Sequence, residues 1–207
     1  MAEFQANLRK TALLNVDLQN LFVQDSPIAA PDGLAVIQRV NRLSAACRRL
    51  GVPVVHTLHV TRPDGSNVGV LGEIIPPVKD GLIASGSAPA RLHSSLHVEP
   101  TDIVLEKPRY GAFHGTDLEL ILRARGVDSV IITGIATNVC AETTAREACV
   151  RDFRVFFTSD GTATNDMGGV PRAELQRATL AVLAFGFAQV LTVDEMIRKL
   201  ESARSAT

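Results

Sequence analysis

The segment DSVIITGIATNVCAETTAREACVR, residues 128–151, joins two patterns in one short stretch. Asp128 to Thr133 is an apolar, β-branched run between polar residues, which reads as a strand. Ala141 to Arg151 has the spacing of a helix. A strand that is continuously apolar and feeds directly into a helix is the repeating unit of a parallel sheet covered on both faces. The same alternation extends in both directions. Toward the N-terminus lie strand runs at Thr11 to Asp17 (TALLNVD), Val52 to Val60 (VPVVHTLHV) and Asp102 to Glu106 (DIVLE). Helical stretches fall at Pro31 to Leu50 and Asp117 to Arg125. Pro31 suits a first helical turn, and Gly51 and Gly126 stand where C-terminal caps belong. Toward the C-terminus follow Phe153 to Thr158 (FRVFFT), a helix at Arg172 to Phe185 and a sixth strand at Ala188 to Thr192 (AQVLT). The expected fold is a three-layer αβα domain around a central, mostly parallel, six-stranded, Rossmann-like sheet.

With 207 residues the chain fits one such domain, residues 1–207. The span from about 61 to 90 departs from the pattern. It is rich in Pro and Gly (Pro63, Gly65, Gly69, Gly72, Pro76, Pro77, Gly81, Gly86, Pro89). A connection this long inside a compact domain is usually functional, so it reads either as a loop over the site or as an oligomer contact.

Composition narrows the partners. Aromatics are 4% of the chain, with no Trp, and the net charge is −1 with no basic block. A surface for stacking bases or gripping phosphates needs more of both, so neither nucleic acid nor an anionic membrane is expected. The first ten residues, MAEFQANLRK, lack the apolar run of a secretory signal. The three cysteines (Cys47, Cys140, Cys149) are too few and odd in number for a disulfide framework. A reducing, cytoplasmic compartment suits a free thiol.

In an open parallel sheet, ligands bind beyond the carboxyl ends of the strands. Asp17 ends the first strand, Glu106 and Lys107 end the third, and the fourth runs through Gly134-Ile135-Ala136-Thr137-Asn138-Val139-Cys140 into a helix. An acid, an amine and a thiol therefore share one rim. Near a helix N-terminus, Cys140 would meet unpaired N–H groups that favour a thiolate and can hold an oxyanion. Asp17 can take the thiol proton and pass it to a departing amine. A lysine at a buried strand end needs a partner, and Asp17 is the obvious one. Each residue also has a plainer reading: a buried structural thiol, a loop cap, a solvated lysine. Cys47 and Cys149 fit the first of these.

The histidines give no clear metal set. His56 and His59 are three apart on a strand, so alternation points them to opposite faces. No D-x-H neighbour supplies a further ligand, and His93, His97 and His114 are scattered. Neither a catalytic metal nor another cofactor is expected. His59 could line a pocket, and His56 reads as a core or rim residue.

Three blocks together resemble the isochorismatase-like cysteine hydrolases. GIATNVCAETTAREA (134–148) is similar to the nucleophile motif, VDLQNLF (16–22) to the segment carrying the catalytic aspartate, and EKPRYGAFHGTDLELILRARG (106–126) to the lysine block. The blocks stand in the family's order. The resemblance implies Cys140 as nucleophile, Asp17 as base and Lys107 as third catalytic residue. It also implies a cis peptide at Ile135–Ala136, with the N–H groups of Ala136 and Cys140 forming the oxyanion hole. Gln19, Phe22, Tyr110, Phe113, His114, Thr137 and Asn138 become candidate substrate-binding residues. A homo-oligomer, dimer or tetramer, is expected by analogy.

The departures are Gly111 for the usual Ser and Ala141 for the common Val, both read as packing changes. HTLHVTRPDGSN (56–67) replaces the metal-binding D-x-H…H segment of nicotinamidases. Isochorismatases proper cleave a vinyl ether without the cysteine. The expected activity is therefore hydrolysis of a C–N bond in a small amide, ureide or carbamoyl compound through a thioester. The wording is closest to the ureidoacrylate and N-carbamoyl amidohydrolases. An isochorismatase-type ether hydrolase or a nicotinamidase is the alternative, and a non-catalytic binding protein the reading from another class.

Overall fold

The computed structural model describes residues 3–205. Six strands, β1 (Thr11–Val16), β2 (Val54–His59), β3 (Ile103–Lys107), β4 (Ser129–Ile135), β5 (Arg154–Ala163) and β6 (Gln189–Leu191), form one sheet in the order β3-β2-β1-β4-β5-β6. Every pairing is parallel. The helices are α1 (Asn20–Val23), α2 (Gly33–Arg49), α3 (Leu71–Ile74), α4 (Leu118–Ala124), α5 (Glu142–Cys149), α6 (Arg172–Gly186) and α7 (Val193–Ser205).

Strand alternation sorts the apolar side chains into two layers. Ala12, Leu14, Val16, Val130, Ile132, Val155 and Phe157 pack with Leu118 and Leu122 of α4, Ala145 and Ala148 of α5 and Leu183 of α6. Their neighbours Leu13, Ile131 and Phe156 face the other way, onto Leu43 and Cys47 of α2 and Val193, Met196 and Leu200 of α7. Both faces are covered, which is why β1 and β4 are buried along their whole length. This is the αβα arrangement expected, with the sheet parallel throughout.

Several boundaries differ from the sequence reading. β5 continues past Thr158 to Ala163, across a register irregularity opposite Ile132 and Gly134. The helix expected from Ala141 starts at Glu142, because Thr137–Ala141 forms a π-helical turn closed by the Ala141 N–H to the Ala136 carbonyl (3.2 Å). α7 lies beyond the last element read from the sequence. Its start carries a capping box: the Thr192 hydroxyl accepts from the Glu195 N–H (3.2 Å), and the Glu195 carboxylate accepts from the Thr192 N–H (2.7 Å). Asp160 ties down the same helix start by accepting from the Val193 N–H (2.7 Å).

Segment 61–90 is folded rather than open. It holds α3 and a 3₁₀ turn at Pro76–Val78, and Val68, Leu71, Val78 and Ile83 pack with Leu21 in a small cluster of their own. The bridge Thr61↔Ala84 folds it back on its own start, and the Leu21 N–H donates to the Pro89 carbonyl (3.0 Å) to tie its end to the segment after β1. No helix among the described residues is long and apolar enough to cross a membrane.

The chain direction reverses its build-out between β1 and β4, the topological switch point where ligands bind in such sheets. Two backbone features shape that point. Asp17 leaves β1 in the left-handed region (φ 54°), uncommon for a residue with a Cβ. Gly134, paired opposite Val16, has φ 119°, and a Cβ there would lie 1.9 Å from the Val16 carbonyl oxygen. Backbone cannot yield as a flexible side chain does, so Gly134→Ala is expected to lose at least about 3 kcal/mol of stability. Thermal midpoint and soluble yield measure this; a variant that melts with the wild type would refute the close packing of β1 on β4.

Candidate active site

β1, β3 and the turn after β4 deliver Asp17, Lys107 and Cys140 to one place. Lys107 and Asp17 are both fully buried, with Lys107 Nζ 2.7 Å from Asp17 Oδ2. The ammonium also donates to the backbone carbonyls of Arg109 and Tyr110, each at 2.9 Å. Three oxygens thus surround a charge that burial alone would strip of its proton. Although burial lowers the lysine pKa, Asp17 and Cys140 outweigh it and hold the value above the ordinary one.

The other carboxylate oxygen, Oδ1, accepts from the Thr57 hydroxyl at 2.7 Å. Thr57 stands opposite Val16 in the sheet register and also receives the Asp17 N–H, on its carbonyl (3.2 Å) and its hydroxyl (3.3 Å). This clamp sets the carboxylate plane and leaves Oδ2 for Lys107. Thr57 escaped the sequence reading because a threonine inside an apolar strand carries no distinguishing spacing.

Cys140 is only 4% exposed. Its sulfur, a carboxylate oxygen of Asp17 and a ring nitrogen of His59 all lie within 4.8 Å of one another. Burial pushes the Cys140 thiol well above its usual pKa; Lys107 opposes this and Asp17 adds to it. Burial thus works against the thiolate that helix amides were expected to favour, and the Asp17 carboxylate stands alongside as the base. The Ile135–Ala136 peptide preceding the turn is cis.

The strand alternation read for the two histidines holds. His56 points to the opposite side, with one ring nitrogen 3.3 Å from the Asn15 amide and the other 3.0 Å from Asp102, itself gripped by Arg48 (3.0 and 2.5 Å). His59 faces the thiol, with its ring edge-on to Tyr110 at 5.5 Å. Burial, then the Lys107 charge, pushes His59 down to about 4. Among the described residues, Asp17, His59 and Cys140 are the group spaced to hold a metal ion. The Lys107 ammonium already occupies the carboxylate, so a cation would meet a like charge at contact distance.

The remaining site residues are distributed unevenly. Gln19 is spent on structure: its amide donates to the carbonyls of His59 (3.2 Å) and Ala90 (2.7 Å) and accepts from the His59 N–H (2.8 Å). Phe113 packs on Phe153 at 5.6 Å, and its N–H donates to Glu147 (3.0 Å). His114 is exposed to solvent. These three do not present free groups to the thiol: backbone groups hold Gln19, and the loop after β3 turns Phe113 into the helical layer and His114 out of it. Tyr110 and Phe22 lie in the packing around the site, half-buried. Thr137 is buried with its hydroxyl unpartnered. Asn138 accepts from Thr164 (2.6 Å) and faces the Met167 sulfur at 3.5 Å. Arg146 pairs with Glu142 on α5 (2.6 Å), a structural role. Glu147 explains Gly111: a Cβ at position 111 would lie 2.2 Å from the Glu147 carboxylate.

Two cavities lie at this end of the sheet. One, of about 310 Å³, is lined by Lys107 with Thr61, Asn67, Ser85 and Glu106. The other, of about 390 Å³, is lined by Arg39, Asp160, Thr164, Arg172 and Gln176. Cys140 and Asp17 line neither.

A model of the isochorismatase domain matches residues 11–195. The chain belongs to the isochorismatase family. Within it, the chain is 38% identical over 196 residues to nicotinamidase 3 of Arabidopsis thaliana, covering 94% of this chain and 90% of that protein. It is 36% identical over 171 residues to the ureidoacrylate amidohydrolase RutB of Methylorubrum extorquens, covering 73% and 69%. A crystal structure of a cysteine hydrolase from Pseudomonas syringae pv. phaseolicola superposes with a TM-score of 0.90 at 33% identity, covering 97% of each chain. The isochorismatase-family fold and the hydrolase class read from the sequence thus stand.

Proposed function

We propose that this isochorismatase-family hydrolase is a cysteine-dependent amidohydrolase that opens small linear amides, ureides or carbamoyl compounds through a thioester on Cys140. One observation carries the reading: a buried carboxylate–ammonium pair with a thiol within 4.8 Å of the carboxylate. An ion pair without bulk water is costly to bury, and a merely structural pair would not need a reactive thiol against it.

In the proposed cycle the substrate carbonyl carbon settles over the sulfur. Asp17 takes the thiol proton as the C–S bond forms, so the buried thiolate never stands alone. The oxyanion is received by the N–H groups of Ala136 and Cys140. Asp17 returns the proton to the departing nitrogen, the C–N bond breaks, and amine or ammonia leaves. Water then gives its proton to Asp17 and attacks the thioester. The C–S bond breaks, the acid departs and the thiol regains its proton. Lys107 keeps the carboxylate in place throughout. Tyr110, Phe22, Thr137 and Asn138 remain the candidates for shaping the pocket. A free thiol of this kind fits a reducing cytoplasm, and a homo-oligomer remains the expectation.

The likeness to a protein named nicotinamidase keeps that substrate in view, although segment 56–67 lacks the acid–histidine pattern. The test is an ammonia-release screen with nicotinamide, ureidoacrylate, N-carbamoyl amino acids, biuret and maleamate. At least one is expected to turn over, and alkylation of the thiol is expected to stop it. Turnover of isochorismate alone, unaffected by alkylation, would replace this reading with the ether hydrolase.

A further inference from the structure

We propose that His59 selects the substrate by accepting a hydrogen bond from an N–H on the nitrogen attached to the reacting carbonyl, so that amides and ureides are taken and the matching esters refused. The inference rests on the amidohydrolase reading above. His59 Nε2 is buried and has no hydrogen-bond partner, while the residue as a whole is 3% exposed. An unpartnered polar atom in a dry site is a cost unless a ligand satisfies it.

The ring's orientation says what kind of ligand. The Pro108 carbonyl, which can only accept, lies against the ring, and Nε2 is the ring nitrogen without a partner, so the proton is assigned to Nδ1. In a neutral imidazole the other nitrogen then carries a lone pair, and burial with the Lys107 charge keeps the ring neutral at ordinary pH. The ring places a nitrogen in the same cluster as the Cys140 sulfur and the Asp17 carboxylate. A carbonyl carbon over the sulfur and a leaving nitrogen turned toward Asp17 put that nitrogen's hydrogen within reach of His59. An ester oxygen in the same place would set one lone pair against another. The Gln19 clamp on both backbone groups of residue 59 and the ring contact with Tyr110 hold the imidazole still.

The experiment compares one primary amide turned over in the screen with the methyl ester of the same acid. His59→Phe keeps the ring against Tyr110 and removes the acceptor. It is expected to lower kcat/KM for the amide by about 10- to 100-fold, while the ester is turned over no more slowly than by the wild type. His59→Gln restores an acceptor and is expected to recover most of the amide preference. An equal fall on both substrates, or an unchanged amide rate, would overturn the assignment. A second measurement does not depend on folding of the His59 variants. The Cys140→Ala protein is expected to bind the primary amide at least about tenfold more tightly than its N,N-dimethyl analogue, which has no N–H. Equal binding would likewise overturn it. A wild-type protein that releases ammonia from no amide defeats the amidohydrolase reading and this assignment together; a wild type that is active but whose amide preference survives His59→Phe defeats this assignment alone.

Discussion

Cys140→Ala is expected to remove hydrolysis of every amide substrate, lowering kcat by at least about three orders of magnitude, with the protein still folded. The loss is large because no other described residue offers a nucleophile to the same carbonyl: Cys47 is buried in the opposite layer with its thiol pushed up to about 12, and Cys149 sits at the end of α5. Folding survives because alanine removes one sulfur from a cluster already rich in alanine, including Ala141, Ala145 and Ala148. Cys140→Ser is expected to fare little better, since a hydroxyl is far harder to deprotonate than a thiol in a buried site. The check is ammonia release by wild type and variant on the same substrate, with circular dichroism to confirm the fold. An alanine variant with undiminished turnover would end the thioester mechanism.

Lys107→Met is expected to cost about 3–5 kcal/mol of stability and to abolish activity. The methionine fills similar space but strands the Asp17 carboxylate, which keeps only the Thr57 hydroxyl, and frees the carbonyls of Arg109 and Tyr110. For a domain of this size the thermal midpoint should fall by about 10 °C. Adding Asp17→Asn removes the stranded charge. The double variant should recover part of the stability and none of the activity, because breaking one half of a buried pair costs more than removing both. Scanning calorimetry on the two single variants and the double variant closes the cycle. A Lys107→Met protein that melts with the wild type would show that the pair is not what holds this rim together.

The fold was legible wherever one strand could be judged on its own residues. TALLNVD, VPVVHTLHV, DIVLE and DSVIITG are apolar, strand-like runs, and both faces of the sheet are covered as such runs require. The rim position of Asp17, Lys107 and Cys140 followed from the ends of those runs. What escaped depended on neighbours in space. His59 was rejected as half of a chelating pair and read only as able to line a pocket, and the alternation argument about its faces was right. Its companions, however, come from β1 and from the turn after β4, which no spacing along β2 reveals. Gln19 and Phe113 lie in motif-bearing loops and were read as pocket residues. Their side chains turn instead to backbone groups and to Phe153. The helix at 193–205 announced itself through Thr192 and Glu195, a T-x-x-E box ahead of Met196, Ile197 and Leu200, but a six-strand count left it unread.

The contact between position 111 and Glu147 joins two blocks that are distant in the chain. A side chain gained at 111 would displace the flexible Glu147 carboxylate from the Phe113 N–H whose hydrogen bond it accepts, beside the loop that cradles the ammonium. A swap of the lysine-bearing segment is therefore felt on the nucleophile's helix, through a side chain that can swing aside.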